Sequence, residues 1–129
     1  MNIERACGES PYEVAYGFSR ALRIGDRILV AGTAPVPPAG TAIEEDAYSQ
    51  MHRCGAIARK AIEDLGGSLA DVVRTRMFIV DSNDASQVGR AHKEIFGASR
   101  PAATMVVVAA LLEPLWRVEI EVEAMVSRT

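Results

Sequence analysis

Few of the features that name a function at sight are present in this chain. Aromatic residues make up 5% of it, with a single tryptophan, so aliphatic packing must build the core. The two cysteines, Cys7 and Cys54, are too few for a disulfide scaffold and lack metal-ligand spacing. No Lys/Arg-rich block occurs, the net charge is −3 and the isoelectric point is near 5.4, which argues against a polyanion binder. The longest apolar run, Ala102 to Leu112 with one hydroxyl and no charge, has eleven residues, short of the roughly 17 to 25 that span a bilayer. MNIERACGES at the start has charges and no apolar stretch, so no signal peptide is read there. There is no phosphate-binding glycine loop, and GFSRAL is not a nucleophile elbow. The expectation is a soluble, reduced, cytoplasmic protein with no metal, no cofactor, and neither nucleic acid nor membrane as partner.

What is present is periodicity. At 129 residues and 49% apolar, the chain suits one globular domain, residues 1–129, with residues 1–15 read as a loose N-terminal segment. SRALRIGDRILVAGT (19–33) is two strand-like runs around Gly25-Asp26, a hairpin signal. PVPPAG (35–40) reads as a loop. From Ala47, apolar residues recur at three and four through Met51, Cys54, Ala58, Ile62 and Leu65, a long helix capped by Asp46 and ended by Gly66-Gly67. VVRTRMFIVD (72–81) alternates, with Val73, Thr75, Met77 and Ile79 on one face and Val72, Arg74, Arg76, Phe78 and Val80 on the other. Residues 84–96 return to helical spacing. Two strands close the chain, one opening at Ala102 and the other spanning Arg117–Val126, whose Glu119, Glu121 and Glu123 share a face.

The order ββαβαββ describes an α+β fold: one sheet with two helices, enough to cover one face. The strand from Ala102 is apolar on both faces, which predicts burial on both sides. With Phe78 and Val80 beside arginines, and a glutamate row on the last strand, the second face predicts another subunit.

Single residues are less telling. His52 and His92 lie on separate helices and read as packing or surface histidines. Cys54 reads as a small buried hydrophobe. The glutamate row suits salt bridges to Arg74 and Arg76, while a carboxylate in a groove can hold or activate water. Arg20 and Arg100 are candidates for an anionic ligand, since a guanidinium grips a carboxylate in a fixed fork. Arg100 equally suits a helix-end charge. Trp116 stands in the segment entering the last strand and would cap a cleft or cover an apolar edge.

Several blocks resemble the Rid family, also called YjgF-type: VAGTAP (30–35), SLADVVRTRMFIVD (68–81), VGRAHKEIFG (88–97), RPAATMVVV (100–108) and VEIEVEA (118–124). The similarity spans roughly Phe18 to Val126. It implies a chorismate-mutase-like sheet with two helices on one face, assembled as a homotrimer with ligand clefts between subunits. It also implies hydrolysis of enamines and imines to keto acids and ammonia, with an arginine gripping the substrate carboxylate. That arginine follows a proline–alanine pair, and here Pro101-Ala102 is followed by Ala103. The family's tyrosine aligns with Phe18, its serine–glycine pair with Ala31-Gly32, its asparagine with Gly89 and its cysteine with Met105. Thr104 lies among these positions. The glutamate is retained as Glu121, with Glu119 the alternative because LLEPLWR (111–117) blurs the register.

Two functions follow from the resemblance. One is a divergent hydrolase of a small imine, enamine or similar activated metabolite, with Glu121 orienting water and Arg20 or Arg100 replacing the lost cation. The other is a non-catalytic homotrimer binding a small ligand or partner protein in its clefts. Ordinary 2-aminoacrylate deamination is disfavoured by Ala103, and endoribonuclease activity by the acidic chain.

Overall fold

The structure is a computed structural model and describes residues 2–126. Its centre is a six-stranded sheet in the order β1-β2-β3-β6-β4-β5. The strands are β1 (Ile3–Ala6), β2 (Ala21–Ile24), β3 (Arg27–Thr33), β4 (Val72–Ile79), β5 (Ala102–Val107) and β6 (Val118–Met125). All neighbours are antiparallel except β4 and β5, which run parallel. The helices are α1 (Pro11–Tyr16), α2 (Ala47–Asp64) and α3 (Ala85–Phe96). The two long ones pack on one face of the sheet, as the alternation of the strands requires.

Local signals account for most boundaries. The β2–β3 hairpin turns through Gly25 at φ 59°, a left-handed conformation that suits glycine. Asp46 caps α2 by accepting from the Ser49 amide at 2.9 Å. Its carboxyl is held below the ordinary value chiefly by that bond. The helix ends at Gly66, φ 86°. Ser10 caps α1, accepting from Tyr12 N at 3.2 Å, with Pro11 in the first turn.

The core is aliphatic. Ile28 and Val30 of β3, Met77 and Ile79 of β4, and Val118, Ile120 and Val122 of β6 pack against Met51, Cys54, Ala58 and Ile62 of α2 and Val88, Ala91 and Phe96 of α3. Burying each large aliphatic side chain contributes about 1.5 to 3 kcal/mol. Gly55 lets α3 approach α2: a Cβ there would lie 2.7 Å from Ile95 Cδ1. Gln50 is buried yet fully used. Its amide nitrogen donates to the carbonyls of Glu44 (2.8 Å) and Leu115 (2.9 Å), and its oxygen accepts from Arg117 N (2.7 Å).

Three readings of the sequence change. The strand from Ala102 ends at Val107 and lies at the sheet edge, where Ala102, Ala103, Thr104, Val106 and Val107 are exposed in the single chain, not buried on both faces. Hydropathy alone cannot tell a strand covered within its own chain from one that another molecule would cover. A register shift between Val72 and Arg74 puts Val72 in the core and leaves Val73 46% exposed, the reverse of strict alternation. The stretch read as loose holds β1, paired to β2 from Ile3↔Ile24 to Ala6↔Ala21, and α1. β1 is four residues long, too short to show a period. No helix among the described residues is long and apolar enough to cross a membrane.

Candidate functional site

Alternation along β6 sends Val118, Ile120, Val122 and Ala124 into the core and Glu119, Glu121 and Glu123 to the opposite face. On β4 those glutamates stand across from Phe78, Arg76 and Arg74 respectively. Neutralisation therefore falls off along the row. Glu123 meets Arg27 (3.1 Å), Arg76 (3.3 Å) and Arg74 (3.7 Å). Among the described residues Glu121 meets Arg76 alone, at 3.6 Å. Glu119 has no ion pair among the described residues, because Phe78 is its neighbour.

Glu119 faces Gly32 instead. The β3–β6 register shifts between Val30 and Thr33, which opens the strand at Ala31-Gly32. A Cβ on Gly32 would lie 2.5 Å from Glu119 Oε2, so the carboxylate fills the space that the missing side chain leaves. Burial raises the Glu119 pKa above the ordinary carboxylate value, Arg20 opposes that rise, and Glu121 adds to it.

Arg20 reaches the same point from the segment before β2. It is 4% exposed, and its Nη2 donates to the Gly32 carbonyl. Its Nη1 lies 3.7 Å from Glu13 Oε2, and Glu13 in turn accepts from the Gly8 amide at 2.8 Å. The Phe18 ring lies 5.6 Å from the Arg20 guanidinium carbon. Phe18, Arg20, Ala31, Gly32 and Glu119 thus form one cluster.

The remaining candidates lie elsewhere. On β5, Ala103 and Met105 stand across from Thr75 and Met77 on the helix-side face, and Thr104 stands across from Arg76 on the other. A Cβ on Gly89 of α3 would lie 4.0 Å from Met105 Cε, so Gly89 and Met105 are neighbours. Arg100 adopts φ 48° and lines a shallow cleft with His92, Lys93, Gly97 and Pro101. His92 hydrogen-bonds Thr75 at 2.7 Å, and burial lowers its pKa, which favours the neutral ring. Trp116 is buried edge-on against Tyr12, whose hydroxyl donates to Glu113 at 2.6 Å. β3 and β5 are three strand spacings apart, roughly 14 Å. One chain therefore does not bring Ala31-Gly32 and Ala103 into a common pocket.

A second cleft, about 240 Å³, lies on the helix side between Cys7–Ser10 and the Arg53–Asp64 flank of α2. The Cys54 thiol is buried and its pKa is pushed up by burial, so it is an inert core group. Among the described residues no cluster of His, Cys, Asp and Glu could hold a metal ion.

Comparison with known proteins gives the context of this geometry. Residues 8–126 match the family described as Endoribonuclease L-PSP. The chain belongs to this family, the YjgF or Rid family. The Streptomyces coelicolor protein SCO2049 is 38% identical over 122 residues, covering 95% of this chain and 91% of the relative. The 2-iminobutanoate/2-iminopropanoate deaminase of Salmonella typhimurium is 29% identical over 114 residues, 86% of this chain and 87% of that enzyme. Among solved structures, Rv2704 of Mycobacterium tuberculosis, a member of the YjgF/YER057c/UK114 family, superposes with a TM-score of 0.88 at 37% identity, covering 97% of this chain and all of that one. The sheet with two helices on one face is thus the YjgF fold. One polar residue of this Rid-family chain escaped the sequence reading: Glu13, whose signal is invisible until the fold sets it against Arg20.

Proposed function

We propose that this Rid-family protein hydrolyses a small imine or enamine, with Glu119 as the carboxylate that activates water. The observation that carries the reading is the half-buried Glu119 carboxylate at Gly32, the one member of its row with no ion pair among the described residues. Water adds to the C=N carbon while Glu119 accepts its proton. The carbinolamine then collapses to a carbonyl compound, and the proton leaves with ammonia. A carboxylate whose pKa burial raises above the ordinary value is a stronger general base than an ordinary one. Glu121, the position suggested by motif alignment, is held by Arg76 at 3.6 Å and is the less available of the two.

The active unit in this proposal is a homotrimer. Ala31-Gly32 of one copy and Ala103, Thr104 and Met105 of another would line the cleft, because the two groups are too far apart within one chain. The exposed apolar side chains of β5, Val106 at 43% and Val107 at 55%, support a covering partner. With Ala103 at the position after Pro101-Ala102, and with Phe18, Ala31, Gly89 and Met105 around it, the substrate is apolar or carries its charge elsewhere. The same apolar lining favours a second reading, a trimer that binds a ligand without turning it over. An endoribonuclease, which the family description names, would need cations for phosphates, yet Arg27, Arg74 and Arg76 are occupied by glutamates.

The test generates imines from several amino acids with an amino-acid oxidase and traps survivors with semicarbazide. The hydrolase reading expects faster imine loss for bulky apolar side chains, abolished in Glu119→Gln and largely kept in Glu121→Gln. No acceleration with any imine rejects it in favour of ligand binding.

A further inference from the structure

Arg20 borders the helix-side cleft but is almost wholly buried and tied into its own chain. Its side chain is 5% exposed, Glu13 faces its Nη1 and the Gly32 carbonyl takes its Nη2. A cation used only to tie a loop has no need of such burial, since desolvating a guanidinium is costly unless it is paired. What the placement achieves is control of the Gly32–Thr33 peptide, the backbone against which Glu119 rests. Its partner Glu13 is 7% exposed, and a Cβ on Gly8 would lie 2.7 Å from Glu13 Oε2 and 3.0 Å from Arg20 Cδ. The packing around the pair is therefore tight enough to define one position for the guanidinium.

We infer that Arg20, clamped by Glu13, is a positioning residue for the Glu119 site: it orients the Gly32–Thr33 peptide against which the Glu119 carboxylate rests and holds a buried cation at that peptide. The inference deepens the reading of Glu119 given above and rests on it for its functional meaning, though its physical content does not depend on turnover. The charged and titratable groups around Glu119 are few. Arg20 favours its ionised form, and Glu121 on the same strand disfavours it. The Cys54 thiol of α2 also feels Glu119 and Arg20, but burial keeps it protonated. Phe78 on β4 is uncharged. Among the described residues, Arg20 is thus the cation that opposes the burial of Glu119.

The test uses the full chain with carbon-13-labelled glutamate, the Glu119 carboxyl resonance being assigned by its loss in Glu119→Gln. In Arg20→Met the Glu119 midpoint is expected to rise by about 0.5 pH unit or more, and in Arg20→Lys to return most of the way. The Thr33 amide nitrogen should shift in Arg20→Met, because the carbonyl of its own peptide loses its donor. The double variant Glu13→Gln/Arg20→Met removes both buried charges and carries the same expectation if the single variant fails to fold. A Glu119 midpoint and a Thr33 signal that stay put while the melting temperature falls would reduce Arg20 to a structural role and overturn the inference. Absence of imine hydrolysis in the parent protein would reject the hydrolase reading and leave these readouts untouched.

Discussion

The Glu119 carboxylate occupies the space in which a side chain on Gly32 would begin, 2.5 Å from a Cβ built there. The obstructing atom is the end of a flexible side chain, so Gly32→Ala should displace the carboxylate without breaking the strand. A melting temperature within a few degrees of the parent, with imine hydrolysis reduced by about tenfold or more, is expected. Thermal melts and the semicarbazide assay on one preparation measure both. A variant with parental activity would detach Gly32 from the site.

If Glu119 is the base of a hydrolase, it links stability and activity to pH with opposite signs. Burial raises its folded-state pKa, so between the ordinary carboxylate value and the folded value the native state binds more protons than the unfolded one. Stability from this group is therefore present at low pH and lost as pH rises through the folded value. Glu119→Gln should melt higher than the parent at pH 8, and the gap should close below about pH 4.3, the ordinary glutamate value. Catalysis needs the ionised form, so in the parent kcat/KM should rise with pH through the same midpoint. Melts from pH 4 to 8, set beside a rate profile, test the coincidence.

Asp46 carries the contrary sign. Its carboxyl is depressed by capping the Ser49 amide, so its contribution is present above the ordinary aspartate value and fades as pH falls through the folded one. Asp46→Ala should cost about 1 kcal/mol at pH 7 and clearly less at pH 3, as read by urea unfolding.

Gln50 should be far less tolerant. Gln50→Leu keeps the volume but strips hydrogen-bond partners from the Glu44 and Leu115 carbonyls and the Arg117 amide. A loss of about 1 to 3 kcal/mol is expected, and a change under 0.5 kcal/mol would mean that water replaces the amide.

Val106 tests the assembly. It is 43% exposed on β5, on the face shared with Phe78 and the arginine–glutamate rows. If a second copy covers that face, light scattering of the parent should give three times the 13.9 kDa chain, and Val106→Asp should reduce it to one. A parent that scatters as a monomer at micromolar concentration defeats the trimer.

Much of this was legible in the sequence, and the boundary follows from the range of the forces. Periodicity and caps are local: Asp46 three residues before Ser49, the 3.6-residue stripe of α2, the two-residue alternation of β6, Gly25 in its turn. Each depends on a few neighbouring residues, and each appears where the pattern places it. The row Glu119, Glu121, Glu123 was visible for the same reason. Which glutamate lacks an ion pair among the described residues was not, because that depends on the β4–β6 register, which sets Phe78 rather than an arginine opposite Glu119. Nor was the Glu13–Arg20 pair, joined only when β1 and α1 fold back beside β2. The two-sided apolar strand marks the limit most clearly. Composition determined that β5 resists water on both faces, but only the tertiary structure decided that its own chain leaves it at the edge, since burial is a property of neighbours in space.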